Sequence, residues 1–217
     1  MAVKRSGSAL RVLAVFEAVA QAQPIGVSAL ARRIGADKSA VQRDLMTLAD
    51  AGWIAPAPGS AGQWELTPHV LTLVRQPHSG QALRRRAKPV MERLREDSGE
   101  TVYLTVPHQD AFVVIEAVES RHVLRMVPPL GMPVPARISA TARAFAGGPH
   151  VATRGYAVSD GDIVPGSVTL AAAIRDDGGA PLAALVVTGP AERMGEDRRA
   201  VLGEALRRAA EGLSAPA

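Results

Sequence analysis

Residues 30–54 read LARRIGADKSAVQRDLMTLADAGWI. Two amphipathic helices joined by a glycine turn account for that run. Val27 to Ile34 is the first, with Leu30 and Ile34 apolar and Ser28, Arg32 and Arg33 polar. Gly35 suits the turn because glycine tolerates positive φ. Asp37 is placed to N-cap the second helix, which runs to about Ala51 and stops at Gly52. Val41, Leu45 and Leu48 fall at i, i+4 and i+7 and form its buried face. Lys38, Ser39, Gln42 and Arg43 are then left on the opposite face.

Upstream, Ser8 to Gln21 reads as a further helix. Leu10, Leu13, Val15, Phe16 and Val19 make a broad apolar stripe, and Pro24 and Gly26 break it. Glu17 interrupts the apolar run, so the segment reads as an amphipathic helix rather than a signal peptide. Downstream, Trp53-Ile54 and Gln63-Trp64-Glu65-Leu66 are two short strands around a turn-rich loop at 56–62. Three short helices followed by a two-stranded ribbon form a winged helix-turn-helix. Its third helix enters the major groove. Gln42 and Arg43 can pair bidentately with adenine and guanine. Lys38 and Ser39, at the helix N-terminus, suit phosphates, as do Arg32 and Arg33. The competing reading is a plain three-helix core. The wing and the basic bias favour DNA.

Charge is unevenly spread. Residues 1–70 carry seven basic and five acidic side chains, residues 71–97 seven and three, and residues 98–217 eleven and thirteen. A basic front suits a polyanion. Only three of the 25 basic residues are lysine, so part of the arginine excess reads as compositional. There is no cysteine, which excludes disulfides, thiol nucleophiles and thiolate zinc sites. No apolar run approaches the ~18 residues needed to span a bilayer. The five histidines lack metal-ligand spacing, and phosphate loops and nucleophile elbows are absent. Glu116 and Glu119 read as solvated rather than as paired acids. The expectation is a cytoplasmic protein that is not an enzyme and needs no cofactor.

From Pro68 to Asp97 the chain reads as two helices broken near residues 77–80, with Arg84, Arg85, Arg86 and Lys88 clustered in the second. Beyond them the pattern changes. Strands are expected at Thr101–Pro107, Ala111–Val118, His122–Val127, Val168–Arg175 and Ala180–Thr188, with a turn at Asp176-Asp177-Gly178-Gly179. Ile138–Ala146 and Glu196–Glu211 read as helices. The fold class is α+β. The expected organisation is a winged helix-turn-helix domain at 1–70, a helical linker at 71–97 and an α+β domain at 98–217.

These residues together resemble the IclR family of bacterial transcription regulators. The stretch 30–54 is similar to its helix-turn-helix. Gln63-Trp64-Glu65-Leu66-Thr67 stands where the family's wing ends in tyrosine-x-leucine-glycine. Gly99-Glu100-Thr101-Val102-Tyr103-Leu104 matches the family's Gly-Glu-Thr segment, and GMPVPARISATARAFAG (131–147) is similar to its Pro-Leu-His-Ala-Thr-Ala-x-Gly-Lys segment. Later motifs match at Gly155-Tyr156, Pro165-Gly166, Ala171-Ala172 and 188–193. The resemblance implies a GAF-like effector-binding second domain. It implies homodimers, sometimes paired into tetramers, on a pseudo-palindromic operator in double-stranded DNA. It also implies a repressor with a small-molecule effector. By their family positions Arg137, Ser139 and Thr169 are the pocket candidates. Ser139 also reads as a helix N-cap and Arg137 as a surface residue.

The chain departs from the family between Ala146 and Gly155, where it is several helical turns shorter. Two glycines and a proline among residues 147–154 argue against a helix there. The effector pocket is therefore expected to be curtailed. Two function classes stand side by side: a DNA-binding regulator that senses a small molecule, and a protein-interaction module in which DNA binding is incidental.

Overall fold

The computed structural model describes residues 5–74 and 79–214. The chain divides into two compact units, 1–77 and 78–217.

The first unit opens with α1 (Gly7–Ala22), capped by the Ser6 hydroxyl, which accepts from the Ala9 amide. β1 (Ile25–Gly26), α2 (Val27–Ile34) and α3 (Lys38–Asp50) follow. Gly35 takes φ 67° between the helices. Asp37 occupies the N-cap position of α3, but its side chain makes no capping hydrogen bond, contrary to expectation. β2 (Ile54–Pro56) and β3 (Gln63–Leu66) form the wing, with β3 central in an antiparallel sheet of order β1-β3-β2. α4 (His69–Val74) ends the unit's described part.

Val15, Val19, Leu30, Val41, Leu45 and Ile54 fill the core. The stripe expected on α1 is only partly used. Phe16 packs edge-on against Trp53, while Leu10 and Leu13 remain 54% and 57% exposed. α1 and α3 are also joined by charge. Arg11 Nε donates to Asp44 Oδ2 at 2.6 Å, and Asp44 is buried.

In the second unit α5 (Ser79–Ser98) already includes Ser79 and Gly80, where a break was expected. The rest of that expected break, at residues 77–78, lies outside the described residues. A six-stranded antiparallel sheet follows: β4 (Thr101–His108), β5 (Ala111–Val118), β6 (Pro133–Pro135), β7 (Ala157–Asp160), β8 (Ser167–Arg175) and β9 (Pro181–Pro190), in the order β6-β5-β4-β9-β8-β7. α6 (Ala140–Ala146), α7 (Pro149–Arg154) and α8 (Glu196–Ser214) complete the unit.

Both faces of the central strands are covered. Val102, Leu104 and Leu185 pack with Met91 of α5 and Leu206 of α8. Tyr103, Val114 and Val186 pack on the other face with Ala140 and Ala144 of α6.

Three further expectations are corrected. His122–Val127 is not a strand. No strand pairs with it, and Val123 and Leu124 are exposed. Glu116 is not solvated. It is buried on β5 and accepts from Arg84 Nε at 2.6 Å, whereas Glu119 is exposed and pairs with Arg125. The segment after Ala146 does hold a helix, α7. Gly148 is its N-cap, Pro149 sits in its first turn where a missing N–H costs nothing, and Gly155 closes it at φ 75°. The residues that argue against a helix interior are the helix's own boundaries.

Candidate functional site

The first unit presents one polar helical face. Burial of Val41, Leu45 and Leu48 turns Lys38, Ser39, Gln42 and Arg43 outward, and all four are exposed. The structure records no side-chain hydrogen bond or ion pair for these four or for Arg32 among the described residues, so their donors are available to a ligand. Asp44 would otherwise weaken the positive potential of α3, but Arg11 neutralises it on the buried side. Arg32 and Arg33 are exposed near the end of α2. Arg33 is already engaged, its Nη2 donating to Gln21 Oε1 at 3.0 Å. The wing loop at 57–62 carries no charged side chain, leaving backbone amides and the Ser60 hydroxyl as its polar groups. His69 packs edge-on against Trp53, with ring centroids 4.7 Å apart. A narrow helix with unpartnered long polar side chains beside a hairpin can enter a major groove and read base edges.

The second unit holds a cavity of about 190 Å³ on the α6 face of the sheet. Tyr103, Thr169, Thr188, Ser159 and Ser167 supply its hydroxyls, and Met126, Met132, Val134, Ile163 and Val164 are among its apolar walls. Thr169 Oγ1 and Thr188 Oγ1 are 2.9 Å apart, and Ser167 Oγ donates to the Val164 carbonyl. Tyr103 is buried and has no hydrogen-bond partner among the described residues. Burial pushes its hydroxyl well above the usual phenol range, so it stays a neutral donor.

One wall is the segment carrying Met126, Val127 and Pro128. It is held at its base by Ser120, which donates to the Gly99 carbonyl and accepts from the His122 amide. Further along, Arg193 Nη2 donates to the Leu124 carbonyl at 3.1 Å. The same guanidinium grips Glu100 with Nε–Oε1 at 2.6 Å and Nη2–Oε2 at 2.7 Å. Behind Ser159 lies a second charged network. Ser159 Oγ donates to Asp162 Oδ2 at 2.9 Å, and Arg143 Nη2 donates to the same oxygen at 2.6 Å. Those two hydrogen bonds, Arg143's first, hold the Asp162 carboxyl below its ordinary value.

Of the pocket candidates named from the sequence, Thr169 lines the cavity. Ser139 does not. It is buried as the N-cap of α6, donating to the Pro135 carbonyl at 2.6 Å and accepting from the Ala142 amide at 3.0 Å. Arg137 is exposed and lines no part of the cavity. Tyr103, Thr188, Ser159 and Met126 were not anticipated as a group, because they come from four separate segments. Among the described residues no helix is long and apolar enough to cross a membrane, and no three His, Asp or Glu side chains form a metal-binding group.

Comparison with known proteins agrees with this two-part layout. The family model described as the IclR helix-turn-helix domain matches residues 8–58. The model described as bacterial transcriptional regulator IclR C-terminal matches residues 77–147 and 149–215. Curated relatives include the acetate operon repressor of Salmonella typhimurium, 27% identical with 94% of this chain and 87% of that protein covered. The transcriptional repressor IclR of Escherichia coli is 26% identical at the same coverage. Among solved structures, an IclR transcriptional regulator from Alicyclobacillus acidocaldarius superposes with a TM-score of 0.83 at 17% identity, covering 97% of this chain and 98% of that one. An IclR homolog from Microbacterium hydrocarbonoxydans, complexed with 4-hydroxybenzoate, gives 0.78 at 21% identity, covering 96% and 98%.

Proposed function

The chain belongs to the IclR family of bacterial transcription regulators and is a DNA-binding regulator; on that premise we propose that it is a cytoplasmic homodimeric repressor whose operator affinity responds to a small molecule. The observation that carries this reading is the unpartnered face of Lys38, Ser39, Gln42 and Arg43 on α3. Gln42 and Arg43 read bases, while Lys38, Ser39, Arg32 and Arg33 hold phosphate. The dimer forms through α1, where Leu10 and Leu13 leave an apolar strip beyond what the small core uses. A two-fold dimer reads a pseudo-palindrome. The cavity in the second unit, with Thr169 in its wall, receives the effector. The complex of the Microbacterium relative supports a small-molecule role for this fold.

Selection of bound sequences from random double-stranded DNA tests the reading. The expected product is a two-fold motif with half-sites about one helical turn apart. Recovery of no motif, with binding equal on all sequences, would overturn it and favour an assembly role instead.

A further inference from the structure

Resting on the reading of the cavity as the effector site, we propose that it takes an uncharged, mostly apolar molecule whose single acceptor oxygen is held by Tyr103, and that it rejects carboxylates and phosphates. The wall carries hydroxyls, thioethers and aliphatic groups, and no arginine, lysine or histidine lines it. A buried anion without a paired cation carries a large desolvation penalty. Behind the wall, Arg143 is already committed to Asp162 and to the carbonyls of Val158 and Ile138, and Arg193 to Glu100 and the Leu124 carbonyl. Asp162 stands one hydrogen bond behind Ser159 and is paired with Arg143, so this network offers a bound anion no free positive charge.

The donors point the same way. Ser159 and Ser167 spend their protons on Asp162 and the Val164 carbonyl. Thr188 donates to the Val168 carbonyl at 3.4 Å, which leaves Thr169 to donate to Thr188. Tyr103 alone among these hydroxyls has no recorded partner, and a neutral phenol donates well to a ketone, amide or ester oxygen. The volume sets the size. Ligand pockets are commonly about 300–1,000 Å³, whereas an engineered cavity of about 150 Å³ accepts benzene. At about 190 Å³ the site fits one small ring with a short substituent.

Isothermal titration of the full chain with benzamide, benzoate and benzylammonium tests the proposal, since the three differ mainly in charge. Benzamide is expected to bind roughly tenfold or more tightly than benzoate. Tyr103→Phe should weaken benzamide roughly three- to tenfold, with an unchanged melting temperature. Thr169→Leu, which narrows the cavity while staying compatible with a strand, should also weaken it. Benzoate or benzylammonium binding as tightly as benzamide and lost in Thr169→Leu would overturn the neutral class while leaving the effector site in place. Benzamide binding unaffected by Tyr103→Phe would overturn the anchor. Absence of binding by all three at millimolar concentration would remove the effector reading and the proposal together.

Discussion

Arg193 and Glu100 meet as a two-pronged ion pair across 93 residues of sequence, and the carboxylate is wholly buried. Arg193 also holds the Leu124 carbonyl, so one guanidinium fixes both the start of β4 and the segment that walls the cavity. Arg193→Ala strands an anion in the interior and is expected to cost about 3 kcal/mol, read by urea denaturation. Glu100→Gln should cost less, because Arg193 can turn its charge toward water.

Gly189 lies against that carboxylate. A Cβ there would sit 2.6 Å from Glu100 Oε2 and 2.7 Å from Cδ. Because Arg193 pins the carboxylate, Gly189→Ala is expected to lower stability and loosen the 120s segment. Faster amide exchange at residues 121–127 is the measurement.

Gly203, in the middle of α8, faces the ring of Tyr156, where an added Cβ would overlap ring carbons. Helix propensity alone favours alanine by about 1 kcal/mol. Overpacking costs roughly 1–3 kcal/mol, because the buried Tyr156 ring has to be displaced to admit the methyl group. Gly203→Ala is therefore expected to lower the melting temperature despite its better propensity.

Two arginines separate base reading from phosphate holding. Arg43→Ala should cost ~1–3 kcal/mol per half-site on the selected sequence and relax base preference. Arg33→Ala should weaken binding to every sequence and shallow the salt dependence by about one counterion. Equal loss on cognate and random DNA in both variants would refute the division.

The exposed strip on α1 has its own test. Leu13→Asp is expected to convert dimers to monomers in light scattering while leaving the helical circular dichroism intact. Operator affinity should fall by about a hundredfold or more, since two half-sites no longer bind as one unit.

Acid should act on the Ser159–Asp162–Arg143 network. The folded pKa of Asp162 lies below its ordinary 3.8, so its contribution is complete above that value and is lost as pH falls through the lower folded value. Asp162→Asn is expected to flatten part of the decline in melting temperature below about pH 4.

The local patterns that repeat were legible in the sequence. Val41, Leu45 and Leu48 alone orient α3, and β5 was delimited by its own alternation and flanking turns. β1 escaped notice because two residues carry no period, and β7 because Ala157-Val158-Ser159-Asp160 mixes small and polar groups. The apolar residues at 123–127 look like a strand locally but find no neighbour to pair with. The cavity was hidden for a related reason. Tyr103, Met126, Ser159 and Thr188 converge only through the sheet order, which no short window contains. Glu116 looked solvated because its partner, Arg84, lies on another element 32 residues away.

The outer strands of the six-stranded sheet bear on how the second unit can associate. β6 is Pro-Val-Pro, so Val134 carries its only backbone N–H. At the other margin the Val158 carbonyl of β7 is already taken by Arg143. An open strand margin is a template for addition of a foreign strand, and prolines and engaged carbonyls close it. Both features disfavour addition of a foreign strand at β6 and at Val158 of β7. Association between copies of the folded unit is thereby steered toward its side-chain surfaces.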